Sequence, residues 1–450
     1  MTISKNYGTA LNRFQMLNAA KEFLKRAFHH DGVRRYGANT LWLMAEKVIR
    51  LAVGFSVGVY VARFLGPAQY GLLNYAISFV ALFSIFCSLG LDVILVRELV
   101  RFPKLTDMLL GTSFLLKVCG FVVMSAAVGV GLMFLADVES KFLIWIILSG
   151  YFFQTFQVLD FYFQSCVLSK YVAISQMLAL LTTALGRCIL VWFQAPLWCF
   201  AAMEAAYAFL TSVCCWLFYR KAGKRLRNWR FDWRIAGELM RNGLPLLFAG
   251  AASLVYLRLD QVMITTMIDE GANGQYAVAV RLAELLFFVP IVVGDSFLPS
   301  LVGTRNISEE RYRQRSSWLL KGMFYLALAG IIPVALGGSW LIEVLYGEAY
   351  HGAAQLFMIL CFKMILVYPG MIYSKWMIVE NMQGVMLFST VGGAIVNVIL
   401  NIFWIRAWGA AGAVWATLAS TLSIYLFFPL AFRRGRRAVA FLLRALLPWK

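Results

Sequence analysis

Charge is scarce in this chain, and acid is scarcer than base. Only 14% of the 450 residues are charged, with 22 Asp and Glu against 41 Lys and Arg. A soluble globular protein carries about 25% charged residues, so a water-facing surface on every side is excluded. Histidine is nearly absent, at His29, His30 and His351. The eight cysteines, Cys87, Cys119, Cys166, Cys188, Cys199, Cys214, Cys215 and Cys361, make no CxxC spacing. They fall in or at the ends of apolar runs, where small buried hydrophobes belong, so zinc and disulfide frameworks are excluded. Sizeable outer loops are missing too. A membrane glycosyltransferase, polymerase or ligase needs such a loop, or a soluble domain, to carry paired carboxylates; an enzyme is not expected. Met1 to Arg35 lacks an apolar h-region, and no signal peptide is expected there.

Apolar sequence, by contrast, is abundant, at 61% of residues with a mean hydropathy of +0.75. Windows long enough to cross a bilayer recur from end to end. Backbone groups in lipid must pair within the segment, and these runs are too long for barrel strands. The pattern predicts an all-α polytopic membrane protein with twelve spans: 39–62, 71–92, 107–135, 142–166, 171–193, 197–219, 242–267, 276–301, 317–341, 354–378, 385–405 and 411–432. Their connections alternate in charge. Arg97, Arg101 and Lys104, then Lys170, Arg220 to Arg241, Arg305 to Arg315 and Arg433 to Arg437 follow the even spans. Gln194-Ala-Pro196, Asp269-Glu270-Gly271 and Asp137-Val-Glu139 stand between the others. The surplus of +19 is therefore a positive-inside signal, with both termini expected in the cytoplasm and no nucleic acid as partner.

The charge pattern also divides the chain. Residues 1–38 form a basic head in which Leu11, Phe14, Leu17, Phe23, Leu24, Ala27 and Phe28 recur at near-helical spacing. It reads equally as an amphipathic helix on an anionic leaflet or as a partly ordered tail. Residues 39–219 and 242–432 form two six-span lobes, joined by a basic linker at 220–241 and followed by a basic tail at 433–450. Each lobe opens on two spans with a glycine-bearing turn, Gly66-Pro-Ala-Gln-Tyr-Gly71 and Gly271-Ala-Asn-Gly-Gln-Tyr276. Gln69-Tyr70 aligns with Gln275-Tyr276, and six spans per lobe make the repeat parallel about the membrane normal.

Charges inside a span are costly and normally face protein or a wet path. Arg258 and Arg281 fall at similar depth, roughly 8–14 Å below the outer surface at about 1.5 Å per residue. Asp260 and Glu284 stand near enough to balance them or to couple an ion, and Arg281 and Glu284 share a helix face at i, i+3. Arg187 and Glu204 share an outer-third depth and suit a buried ion pair. Arg50, Lys117 and Lys363 lie near mid-membrane, while Glu46 and Lys47 can snorkel. Asp92, Arg97 and Glu98 mark the end of span two, and Asp160 that of span four. Deep bases outnumber deep acids, so a cavity lined by Arg258, Arg281, Arg50, Lys117, Arg187 and Lys363 would favour an anion. Pro290, Pro299, Pro333 and Pro369 place bends where lobes could rock. No cofactor is expected beyond a coupling proton or sodium ion.

Ala62-Arg63-Phe64-Leu65-Gly66-Pro67-Ala68-Gln69-Tyr70-Gly71, with Ser88-Leu-Gly-Leu-Asp92 and Val96-Arg97-Glu98-Leu99, resembles the opening of the Wzx-type O-antigen and exopolysaccharide flippases. Leu259-Asp260-Gln261, Gln275-Tyr276 through Arg281-Leu-Ala-Glu284, Leu345-Tyr346-Gly347-Glu348-Ala349-Tyr350 and Asn397-Val-Ile-Leu-Asn401 continue the resemblance to about Phe432. It implies the multidrug/oligosaccharidyl-lipid/polysaccharide (MOP) exporter superfamily and a MATE-like pair of lobes around a central cavity. The implied cargo is an undecaprenyl-pyrophosphate-linked oligosaccharide, moved across a bacterial cytoplasmic membrane beside a polysaccharide polymerase and a chain-length regulator. A drug–cation antiporter of that superfamily would want an acidic cavity. A lipid II flippase would want an Arg-Asp pair where Phe55-Ser56-Val57-Gly58 stands, and two further spans.

Overall fold

A computed structural model describes residues 31–133, 137–305 and 307–446, so the basic head before residue 31 lies outside the described residues. Within them the chain is helical throughout, without strands. The helices are α1 (Asp31–Phe83), α2 (Ile85–Ser88), α3 (Asp92–Arg101), α4 (Thr106–Met133), α5 (Val138–Gln154), α6 (Val158–Ser165), α7 (Ser169–Trp192) and α8 (Leu197–Lys221). The second half holds α9 (Trp233–Met267), α10 (Glu270–Arg305), α11 (Glu309–Tyr346), α12 (His351–Cys361), α13 (Met364–Val379), α14 (Gln383–Trp408) and α15 (Ala410–Leu422). A π-helical segment, Ser423–Phe427, then leads to α16 (Phe428–Leu430) and α17 (Arg433–Leu446).

Ten of these stretches are long and apolar enough to cross a membrane. Glu348–Cys361 with Met364–Val379, bent by 46°, makes an eleventh. The first stretch, Glu46–Phe83, contains Gly66 at φ 69 and ψ 173, a backbone that breaks the helix and that side chains with a β-carbon resist. Divided there, it supplies two passes, and the twelve expected spans are accounted for. Polar caps set the ends. Asp232 accepts from the amides of Arg234 (2.8 Å) and Ile235 (3.0 Å), so α9 begins at Trp233 rather than at 242, and half the expected linker is helix. Asp137 caps α5, and the Ser140 hydroxyl and amide hold its carboxyl below the usual carboxylate range. Span two stops at the turn Leu89-Gly90, leaving Asp92, Arg97 and Glu98 on the separate amphipathic helix α3. Arg433 to Arg437 likewise open a helix, α17, that buries Gly435, Ala438, Val439, Leu442 and Ala445.

Large apolar side chains cover the outside as well as the core: Met133, Trp192, Phe193 and Leu336 are all exposed. In water that surface would aggregate; in a bilayer it is the solvent contact. Inside the first lobe α5 packs on α8 and α7 on α8 and α1; in the second, α9 packs on α14, α14 on α15, and α11 on α13. Small residues let backbones touch, as where Gly150 meets Ala205.

The lobes meet where α1 and α10 cross. A β-carbon at Gly71 would stand 1.8 Å from the carbonyl oxygen of Glu270, and one at Gly274 2.0 Å from that of Pro67. These contacts are reciprocal. They pair Pro67 with Glu270 and Gly71 with Gly274 about the pseudo-axis, a register three residues away from the Gln-Tyr alignment. The Asn273 amide closes the junction by donating to the Gly71 carbonyl at 2.8 Å. Gly71→Ala or Gly274→Ala is expected to cost about 1–3 kcal/mol through overpacking, read as a lower melting temperature in detergent. An unchanged melting temperature in both variants would show that the junction yields.

Candidate functional site

A buried polar centre is built around Asp260 on α9, 3% exposed. Its carboxylate accepts from Tyr276 Oη (2.8 Å), Thr417 Oγ1 (2.7 Å) and Asn401 Nδ2 (2.6 Å), which arrive from α10, α15 and α14. Asn401 also donates to Asn397 Oδ1 at 3.1 Å. None of these partners is charged, and Asp260 makes no ion pair among the described residues; the expected Arg258–Asp260 balance is not made. An isolated buried carboxylate is very costly in a medium of low dielectric. Such a site therefore either holds a proton or takes a cation. Asn397 Nδ2 and Asn401 Oδ1 are buried without a partner among the described residues, so the cluster retains unused polar capacity. Residue spacing pointed to Asp260 but missed Tyr276, Asn397, Asn401 and Thr417 as its shell. The two asparagines four residues apart in an apolar span were the available signal.

Arg281 on α10 takes a different partner from the one its spacing suggests. Its guanidinium donates to the Gly54 carbonyl on α1 and lies against Gly58, where a β-carbon would fall 2.6 Å from Nη2. The hydroxyls of Tyr70 and Tyr346 are its other polar neighbours. Glu284 is exposed and makes no ion pair among the described residues, so the expected i, i+3 pair is absent. The reason is geometric: a route into the opposite lobe places Arg281 against a carbonyl that glycine alone leaves open. Other contacts join the lobes nearby, from Ser78 Oγ to Gln261 Oε1 (2.7 Å) and from Tyr350 Oη to the Ala62 carbonyl (2.8 Å).

Arg187 and Glu204 form the expected ion pair, Nη2 to Oε1 at 2.6 Å, but both are partly exposed rather than buried. Glu204 lies within electrostatic range of Arg281, and it shares Tyr151 as a neighbour with Arg258. Arg187, Glu204, Arg258 and Arg281 thus gather between the lobes. Arg258 makes no ion pair among the described residues. Lys363 sits at the break between α12 and α13, with its ammonium 5.1 Å from the ring of Tyr256 and 5.8 Å from that of Phe287. Cation–π contacts of this kind hold a cation in place while leaving its charge unneutralised.

Two sequence-predicted ligands lie elsewhere. Lys117 is 1% exposed, bonded to Asp92 Oδ1 at 3.1 Å and set over the ring of Phe161. It fastens the start of α3 to α4 and does not reach the gathering of arginines. Arg50 pairs with Glu46, which is buried rather than snorkelling, and donates to Gln176 Oε1 at 2.7 Å. Both Arg50 and Gln176 line a 230 Å³ cavity within the first lobe, with Gln154, Gln157 and Asp160. Asp160 does not mark a span end: it is 5% exposed and accepts from Cys215 Sγ at 3.0 Å. A 3-10 turn at Thr155–Gln157 interrupts the span, and α6 continues past Asp160 to Ser165. Lys117→Met is expected to leave cargo movement within about twofold of wild type, since a surface-accessible Asp92 loses only a weak partner. A collapse of transport at normal abundance would restore Lys117 to the site. Among the described residues no group of three or more His, Cys, Asp or Glu side chains could hold a metal ion.

The comparisons with known proteins fit this arrangement. An inward-facing multidrug-resistance MATE family transporter of the MOP superfamily superposes with a TM-score of 0.70 at 17% identity, over 90% of this chain and 99% of that one. The lipid II flippase MurJ in an inward closed conformation gives 0.61 at 12%, over 91% and 87%. At these identities the likeness is one of fold. An uncharacterised membrane protein of Haemophilus influenzae is 21% identical over 339 residues, 74% of this chain and 80% of that protein. Residues 36–294, more than half of the chain, match the family model described as polysaccharide biosynthesis protein. The two lobes, the span count and this match agree, and the chain belongs to the polysaccharide biosynthesis protein family, built on the MOP-superfamily fold.

Proposed function

We propose that this protein is a flippase that carries a lipid-linked oligosaccharide across the cytoplasmic membrane of a bacterium by alternating access, leaving the glycan chemically unaltered. The observation that carries the reading is that Arg281 reaches from the second lobe to the Gly54 carbonyl of the first, while Arg281, Arg258 and the second lobe's Lys363 make no ion pair among the described residues. A pyrophosphate linker brings about two negative charges, and guanidinium groups bind its oxygens in planar, two-point fashion. A charge of that size does not enter hydrocarbon unassisted. Cations that keep their charge unneutralised while held by carbonyls and aromatic rings supply a route for it. The family match supports a role in polysaccharide biosynthesis. The loop charges support an orientation with both termini in the cytoplasm and cargo released outside, where a polymerase and chain-length regulator would receive it.

Asp260 is proposed as the coupling residue. Its neutral shell suits a carboxylate that is loaded and unloaded with a proton or a sodium ion as the lobes move. A drug–cation antiporter shares the fold but would place acid where this chain places arginine and lysine.

Proteoliposomes carrying fluorescent undecaprenyl-pyrophosphate oligosaccharide on one leaflet test the reading. Purified protein is expected to expose the label to an impermeant quencher on the other leaflet, with the glycan recovered intact by mass spectrometry. Transport of organic cations in place of the anionic lipid, or recovery of a shortened or extended glycan, would reject it.

A further inference from the structure

Passage of an anion along Arg281 and Arg258 leaves the 230 Å³ cavity of the first lobe unused. Eight of its ten lining residues carry polar side chains, in spans that are otherwise apolar. A single water needs only about 10–15 Å³, so the space admits something larger. Gln154 and Gln157 meet it at the 3-10 turn Thr155–Gln157, where side chains three residues apart eclipse. Both are exposed, and neither side chain has a hydrogen-bond partner among the described residues. Unpaired amides are costly in hydrocarbon, so these two face a space that a polar molecule can enter. The Arg50 side chain, in the same wall, is 45% exposed.

Three helices tie the cavity to Arg281 and Arg258. On α1, Arg50 stands four residues before Gly54, whose carbonyl takes the Arg281 guanidinium. On α5, Gln154 comes three residues after Tyr151, a neighbour of Arg258. On α8, Tyr207 comes three residues after Glu204, which lies within electrostatic range of Arg281. Each step is about 5 Å along its helix. Each also runs toward the basic end of its span, at Lys47, Lys170 and Arg220. The cavity thus adjoins the two arginines on the side of the basic loops.

Its chemistry does not suit a second anion. Arg50 is paired with Glu46 and bonded to Gln176, and Asp160 adds a buried carboxylate. Amide groups both donate and accept, which matches the hydroxyls of a sugar. Phe156 and Tyr207 add ring faces, and a few polar groups set among such faces fix the orientation of small ligands. We infer that this cavity is a sugar subsite of the cargo path, holding the neutral sugar next to the pyrophosphate while Arg281 and Arg258 hold the pyrophosphate itself. Gln154 and Gln157 are its specificity-determining residues. The inference rests on the flippase role proposed above. A site built to bond hydroxyl groups selects against a cargo that lacks them, because its amides are then left unpaired.

Equilibrium binding to the purified protein in nanodiscs tests the subsite with three probes. They are lipid-linked oligosaccharide extracted from cells lacking the protein, undecaprenyl pyrophosphate without sugar, and the oligosaccharide released from its lipid. Wild type is expected to bind the glycan-bearing lipid more tightly than the bare lipid, and the free glycan more weakly than either. Gln154→Leu combined with Gln157→Leu is expected to weaken the glycan-bearing lipid about tenfold, or about 1.4 kcal/mol. The same variant is expected to bind the bare lipid as wild type does, which guards against misfolding. Gln154→Asn with Gln157→Asn keeps both amides and is expected to recover part of the loss. Arg281→Ala is expected to weaken both lipids. If wild type binds neither lipid, or Arg281→Ala does not weaken both, the flippase reading fails and the subsite with it. If Arg281→Ala weakens both but the leucine pair spares the glycan-bearing lipid, or weakens the two lipids equally, the subsite alone is overturned. Free oligosaccharide bound as tightly as the lipid-linked form would also overturn it, giving the cavity to a soluble sugar.

Discussion

Asp260→Asn is expected to stop cargo translocation while the protein still reaches the membrane at normal abundance. The substitution keeps the shape of the group and removes only its charge. Tyr276 and Thr417 present hydroxyls that can rotate to accept from the new amide, and Asn401 can turn its own amide oxygen toward it. The hydrogen-bonded cluster therefore survives, and the fold with it. What is lost is the ability to bind and release a cation, and a loss of at least a hundredfold in rate corresponds to about 2.7 kcal/mol. Asp260→Leu separates the readings further. It strands three buried donors, each costing about 1–3 kcal/mol, and is expected to lower abundance as well. Translocation at wild-type rate in Asp260→Asn would mean that the carboxylate is only a structural acceptor.

Arg281→Ala is expected to abolish export as completely, and for a different reason. Removing one partner of a desolvated charge contact costs about 2–5 kcal/mol, and the pyrophosphate would lose its inter-lobe cation. Arg281→Lys is expected to retain part of the activity, because a point charge replaces a planar fork. Adding Glu284→Ala is expected to restore nothing, since Glu284 is exposed and holds no ion pair with Arg281 among the described residues. Gly58→Leu offers an independent check. Its side chain would occupy the space of the guanidinium and push it from the Gly54 carbonyl, lowering transport without touching Arg281 itself. Initial rates in proteoliposomes, normalised to reconstituted protein, read all four. Rescue by the Arg281→Ala, Glu284→Ala double variant would show that the arginine serves the helix rather than the cargo.

Much of the architecture was legible in the sequence because it follows from one-dimensional quantities. Hydrophobic length sets the spans, and caps such as Asp232 and Asp137 start their helices. The glycine turns at Gly66 and near Gly271 mark the repeat. Errors at this level were small and local. The start of α9 moved to Trp233 because a cap with polar neighbours can extend a helix beyond its apolar run. The repeat register moved by three residues because close backbone contact, not side-chain identity, fixes the pseudo-axis.

Placement within the apolar spans was legible too, which is why Asp260, Arg258, Arg281 and Lys363 could be singled out from spacing alone. Partnership was not. A helix carries its side chains in every direction, and sequence separation along one span says nothing about which neighbouring span faces them. Lys117 is bonded to Asp92, 25 residues away in the chain, whereas Arg258, with Asp260 two residues on, makes no ion pair among the described residues. Arg281 bypasses a carboxylate three residues away for the Gly54 carbonyl on the opposite lobe, because Gly58 leaves room there. The shell of Asp260 is drawn from α10, α14 and α15, segments as much as 157 residues apart in the chain. The sequence by itself determined the class of protein and which charges fall within its apolar spans, since these depend on the energy of single segments in a bilayer. Only the tertiary structure decided which charges are neutralised and which stay available, since that depends on helix rotation and close packing between segments.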